Sequence, residues 1–196
     1  AKFPAQVHDI KAATRFLRAN AEEYKFDTRE IFIAGASAGG HLAALVGVTN
    51  GVKELEGNVG EHLGESSDVQ RIVSFYGASN LQTILSQSTP HGLSVRKPAL
   101  DLLLGGQPDA EPEQARLASP VAHVDRTDPP LLLIHGDQDP QMPINQAHEL
   151  HGRYKAFGLP IQFEVVHGAA HGGRGFYESE MLNRVAEYLK TGTLTH

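Results

Sequence analysis

The stretch IFIAGASAGGHLAAL, Ile31 to Leu45, decides the fold. Glu30 to Ala34 has the length and apolar character of a short buried strand, and Ala38 to Val48 reads as a helix. Between them, Gly35, Ala36, Ser37, Ala38, Gly39 and Gly40 leave almost no side-chain bulk beside the backbone. Ser37 is the one reactive group in this turn. The spacing is G-x-S-x-G, in which a sharp strand-to-helix turn strains the serine backbone and pushes Oγ into the open. A plain turn of small residues and a phosphate cradle at a helix N-terminus are the competing uses. A P-loop needs Lys after its second glycine, and a dinucleotide loop needs G-x-G-x-x-G; neither spacing is present.

Outward from this turn, short apolar runs alternate with helical patterns. Gln6 to Tyr24 is predicted as a helix, with Pro4 where a first turn tolerates it. Further strands are expected at Arg71 to Tyr76, Leu131 to His135 and Ile161 to Val166. Helices are expected at Ile144 to Phe157 and Tyr177 to Leu189. Residues 50–68 are polar and Gly-rich and read as a surface excursion. Residues 81–104 read as short helices interrupted by Pro90 and Pro98, within a cap-like insertion spanning 80–118. Gln107 to Glu113 reads as a loop. The strands are continuous in apolar residues rather than alternating, as in strands buried on both faces of a parallel sheet. The expectation is a single α/β domain over 1–196: a doubly wound, mostly parallel sheet with helices on both faces.

Composition narrows the function classes. The chain has 196 residues, 40% of them hydrophobic and 20% charged, enough to pack a core. The formal net charge is −6 and no Lys/Arg cluster stands out, so neither a nucleic-acid nor an anionic-membrane partner is expected. With no cysteine, a disulfide framework and a thiolate nucleophile are excluded, while the compartment stays open. No apolar run approaches the ~20 residues of a bilayer span. AKFPAQVHD does not have the form of a signal peptide, and the chain begins without Met.

In a doubly wound sheet, reactive groups gather beyond the carboxyl ends of the strands. Ser37 follows one such strand. HGDQDPQMP, with Asp137 and Asp139, follows another, and HGAAHGG, with His167 and His171, follows a third. The chain order is Ser, Asp, His. A serine hydroxyl becomes a nucleophile when a neutral imidazole takes its proton, and a carboxylate fixes the tautomer of that imidazole. An isolated loop Asp or His is more often a turn former or a surface group; three complementary groups at three strand ends point to acyl transfer.

IAGASAGGHLAAL, PPLLLIHGDQDPQMPINQA and VVHGAAHGG together resemble the motifs of α/β-hydrolase serine esterases, in the lipase/esterase branch related to prolyl oligopeptidase. That branch includes deacetylase and feruloyl-esterase-like enzymes acting on plant-wall esters. The resemblance implies Asp139 as the catalytic acid, with Met142 replacing the usual Val of the motif, and His171 as the base. Asp137 then structures the turn and His167 ends a strand. It also implies the Ala38 N–H as one oxyanion donor. The family takes its second donor from an HG or HGGG loop after an early strand, and no such loop precedes Ser37 here. Ala1 to Asn20 resembles the helix that follows the early strands in full-length relatives. The resemblance thus covers about four of eight strands, and the first strand here would be left as an open sheet edge.

The expected activity is a serine carboxylesterase acting on small acyl or aryl esters, including those of plant-wall carbohydrates, with no cofactor or metal. A peptidase of the prolyl oligopeptidase type and a non-catalytic binding module are the alternatives. Tyr76 and Met142 are candidate substrate contacts. His148, Glu149 and His151 do not have zinc-site spacing and are expected on a solvated helix face. The partner expected is a small-molecule ester; acyl preference, compartment and oligomeric state are left open.

Overall fold

A computed structural model describes residues 1–194. Four strands, β1 (Phe32–Ala36), β2 (Arg71–Phe75), β3 (Leu131–Gly136) and β4 (Ile161–Val166), form one sheet in the order β1-β2-β3-β4, all parallel. The register pairs Gly35 with Ser74, Phe75 with Ile134, and Gly136 with Val166. The helices are α1 (Ala5–Ala19), α2 (Ala21–Tyr24), α3 (Ala38–Gly47), α4 (Ile84–Gln87), α5 (Pro90–Leu104), α6 (Pro112–Leu117), α7 (Asn145–Phe157) and α8 (Ser179–Thr191).

The apolar strands bury both faces. Ile72, Leu131 and Leu133 pack with Ala44 of α3, with Val48 just after it, and with Leu150 and Tyr154 of α7. Val73, Phe75, Leu132 and Ile134 point the other way, onto Phe176 and onto Val185 and Tyr188 of α8. Successive side chains of a strand point to opposite faces, so an all-apolar strand demands helices on both sides. A third cluster joins Phe3, Val7, Leu45, Leu81, Ile84, Leu100 and Leu104 beside the sheet. The fold is therefore the expected α/β class, with helices on both faces.

Several boundaries differ from the sequence-based expectation. The first strand runs to Ala36 rather than Ala34, because pairing with Ser74 and Phe75 carries it into the glycine turn. The first helix ends at Ala19, and residues 21–24 form a separate turn closed by Lys25 in the left-handed region (φ 58°). Pro98 does not interrupt α5. Pro90 occupies its first turn, where the missing N–H is free of cost, and Thr89 caps it by accepting from Gly92 N at 3.0 Å. An interior proline removes the hydrogen bond to the carbonyl four residues back, here that of Ser94, an exposed residue. Pro112 opens α6 inside the stretch expected as loop. Among the described residues no helix is long and apolar enough to cross a membrane.

Residues 50–68 are polar, yet they are anchored from within. Glu56 accepts from Lys11 Nζ at 2.6 Å, Arg15 Nη1 at 3.1 Å and Ser67 Oγ at 2.7 Å, and Lys11 and Arg15 are buried in α1. Removing one partner of such a cluster leaves an uncompensated charge, at a typical cost of about 3–5 kcal/mol. β1 pairs with β2 alone among the described residues, so its outer backbone edge is free.

Candidate active site

Ser37 sits between β1 and α3 with φ 56° and ψ −119°, a conformation that side chains rarely adopt. Its N–H donates to the Phe75 carbonyl (2.9 Å), and its own carbonyl accepts from His41 N (3.0 Å), so both neighbours hold the strained turn. The close approach that permits the turn depends on Gly35 and Gly40. A Cβ on Gly35 would lie 2.2 Å from the Gly39 carbonyl oxygen, and one on Gly40 2.6 Å from that of Phe75. Gly39, the second glycine of the motif, faces open space. Gly77 also belongs to this packing, since its Cβ would meet the backbone of Gly40 and His41 at 2.5 and 2.6 Å.

The loop after β4 brings His171 to Ser37, with Oγ to Nε2 at 2.8 Å. The loop after β3 brings Asp139 to the other face of the ring, with Oδ2 to Nδ1 at 2.7 Å. The carboxylate accepts from Nδ1–H, which leaves Nε2 as the acceptor of the serine proton. Asp139 is itself held: Oδ1 accepts from the amides of Gln141 and Met142, both at 2.8 Å. The side chain of Asp139 has no exposed surface. Burial alone would raise its carboxyl, but hydrogen bonds from His135, His171, Met142 N and Gln141 N outweigh it and hold the group well below the usual carboxylate range.

His135, at the end of β3, escaped the sequence reading. Its Nε2 donates to the Met142 carbonyl at 3.0 Å and lies 3.4 Å from Asp139 Oδ2. Its place in HGDQD, two residues ahead of the first aspartate, was the available signal. Tyr76 lies against the histidine and is not among the residues that line the cavity beside Ser37. Its ring meets His171 edge-on at 4.8 Å, and its hydroxyl bonds to that of Tyr177 at 2.6 Å. Burial, then the Tyr177 bond, pushes the Tyr76 phenol above its ordinary value. Asp137 and His167 form a separate pair at 2.8 Å, and Asp137 also accepts from Gly168 N.

A cavity of about 170 Å³ opens beside the serine. Ser37, Ala38 and His41 form one side, with Met142 from the β3 loop and Leu81, Ile84, Arg96, Leu100 and Leu103 from the 80–118 segment. Ala38 is the first residue of α3, so its N–H has no acceptor within the helix and is available to an oxyanion. His41 donates from Nε2 to the Ala118 carbonyl (2.7 Å), and burial pushes its pKa down, against the charged ring.

Among the described residues no three His, Asp or Glu side chains converge as a metal site. His148 is exposed and packs edge-on against Phe163. Glu149 departs from the expected solvated face: it accepts from Asn80, Thr83 and Gln87.

A family model described as BD-FAE matches residues 1–154. Esterase LipC of Mycobacterium tuberculosis is 32% identical over 172 residues, which are 87% of this chain and 41% of LipC. This chain therefore spans about two fifths of that relative. A solved structure titled as a truncated form of carbohydrate esterase from gut microbiota superposes with a TM-score of 0.88 at 35% identity, covering 97% of this chain and 69% of that one. The propionate-bound esterase Est2 of the Planctomycetes species Thermogutta terrifontis gives a TM-score of 0.72 at 28% identity, covering 100% and 68%. The parallel sheet, the serine turn after its first strand and the match across residues 1–154 agree, and the chain belongs to the BD-FAE family of α/β-hydrolase-fold esterases.

Proposed function

We propose that this chain carries the acyl-transfer machinery of a carboxylic ester hydrolase, with Ser37 as nucleophile, His171 as base and Asp139 as the group that orients it. The reading rests on one observation: Oγ, imidazole and carboxylate stand in line at 2.8 and 2.7 Å on a serine held at positive φ.

Ser37 Oγ attacks the ester carbonyl carbon as its proton passes to His171 Nε2. The carbonyl oxygen becomes an oxyanion beside the Ala38 N–H. Collapse breaks the bond to the alcohol oxygen, which takes the proton from His171. Water then repeats the sequence on the acyl-serine and releases the acid. The leaving oxygen must reach His171, whereas the cavity is lined by Ser37 and Ala38 without His171. The cavity is therefore assigned to the acyl group. An engineered cavity of ~150 Å³ admits a benzene ring, so this one suits a short acyl or a single aryl group. The 80–118 segment, which supplies most of the wall, acts as a cap. The likeness to a carbohydrate esterase supports esters carried on carbohydrates, including those of plant walls, as the substrate class.

Intact mass after exposure to a fluorophosphonate tests the nucleophile. One adduct is expected on the folded chain and none on Ser37→Ala. No adduct on a chain shown to be folded by circular dichroism would overturn the assignment. Hydrolysis of 4-nitrophenyl butyrate without cleavage of a proline anilide separates the esterase from a prolyl peptidase, and binding without turnover would favour a non-catalytic module.

A further inference from the structure

One of the residues that line the cavity beside Ser37 is charged. α5 turns Arg96, Leu100 and Leu103 toward it at spacings of four and three residues, one face of a helix. Leu81 and Ile84 line the same space. Arg96 is poorly served for a cation in such surroundings. Its Nε makes one long hydrogen bond, 3.3 Å, to the Gln141 carbonyl. Its Nη2 is sealed from solvent and has no partner among the described residues. None of the ion pairs among those residues includes it. Burial lowers its pKa, and the nearby charge of Asp139 only partly opposes this. An apolar side chain of similar length would line the wall without that desolvation cost.

A guanidinium takes a carboxylate through parallel N–H donors, with charge and geometry both matched. Arg96 lines the space assigned to the acyl group, and its Nη2, covered and unpartnered among the described residues of the free chain, turns to a carboxylate that enters. We propose that this cavity accepts acyl groups ending in a carboxylate, so that the substrates are half-esters of short dicarboxylic acids and Arg96 holds the distal carboxylate. This rests on the esterase reading of Ser37 and deepens it. The size of the space suits roughly four to six acyl carbons.

The test compares kcat/KM at pH 8 for monomethyl succinate, glutarate and adipate with the methyl esters of butanoic, pentanoic and hexanoic acids, by methanol release. In at least one pair the half-ester should be favoured by about tenfold or more, the scale of a hydrogen bond to a charged group. Arg96→Met should cut that ratio about tenfold, chiefly through KM, and Arg96→Lys should restore part of it. A preference for the neutral ester at every length would overturn the proposal. So would an equal loss on both esters in Arg96→Met, which would make Arg96 a support for Asp139. One arm needs no variant: glutarate should protect Ser37 from the fluorophosphonate better than pentanoate does at equal concentration, and equal protection counts against the proposal. Labelled Ser37 without any half-ester preference defeats this inference alone. An unlabelled, folded parent defeats it together with the esterase reading.

Discussion

Two Asp–His pairs join the loop after β3 to the loop after β4, and their lengths are nearly equal: 2.7 Å for Asp139–His171 and 2.8 Å for Asp137–His167. The two carboxyls are both held below their ordinary value. For Asp137 the hydrogen bonds of His167 and Gly168 N do this; for Asp139 four donors overcome burial. Distance and direction of shift therefore do not tell them apart. Water does. The Asp139 side chain is fully covered and His171 is 14% exposed, while Asp137 and His167 are 29% and 84% exposed. An exposed pair contributes little because solvent screens it, whereas a covered one acts in a low dielectric where the same charge governs the imidazole. Asp128 completes the series. It is buried, and among the described residues it has no cationic partner and accepts only from Asp125 N; burial pushes its carboxyl up to about 7.

These contrasts can be broken by substitution. The largest effect is expected at the covered pair. Asp139→Asn should lower kcat on 4-nitrophenyl butyrate about 10⁴-fold, because an amide no longer selects the tautomer with Nε2 free. A loss below about tenfold would mean that burial does not distinguish the two pairs. His171→Ala should cost at least as much and should abolish fluorophosphonate labelling of Ser37 under matched conditions. At the exposed pair, Asp137→Asn and His167→Ala should each change kcat/KM by no more than about threefold, as expected for a screened pair. A drop comparable with Asp139→Asn would show that the outer pair holds the His171 loop in place.

The smallest effect is a matter of stability. The folded carboxyl of Asp128 binds its proton more tightly than the unfolded one, about 7 against 3.8. Its contribution is thus fully present below about pH 4 and is lost as pH rises through about 7. Asp128→Asn, which does not titrate, should stabilise the chain by about 2–3 kcal/mol more at pH 8 than at pH 5 in denaturant unfolding. Equal effects at both pH values would show that Asp128 is ionised in the folded chain.

The strands and the serine turn were legible because their signals are local. Apolar runs of five or six residues mark the strands, of which β2 and β3 are covered on both faces, and a cluster of small residues marks the close approach at Ser37. Other features were not legible. The G-x-S-x-G spacing points to Gly35 and Gly39, yet the crowding lies at Gly35 and at Gly40, the latter under a carbonyl of β2 that is 35 residues away in the chain. Two prolines suggested broken helices over 81–104, yet one opens α5 in its first turn and the other lies within it, four residues after the exposed Ser94. Arg96 carried no motif at all; only the continuity of α5 turns it to the cavity.

By itself the sequence determined the order of strands and helices, the strained serine turn, and a short roster of Asp and His residues at strand ends. Choosing within that roster by residue type alone left Asp137 beside Asp139 and His167 beside His171, and only the resemblance ranked them. The tertiary structure decided which pair is dry and in line with Ser37, and which helix face walls the cavity. The physical reason is range. Backbone preference and hydrophobic period act over a few residues, whereas the dielectric around a carboxylate or a guanidinium is set by every segment folded against it.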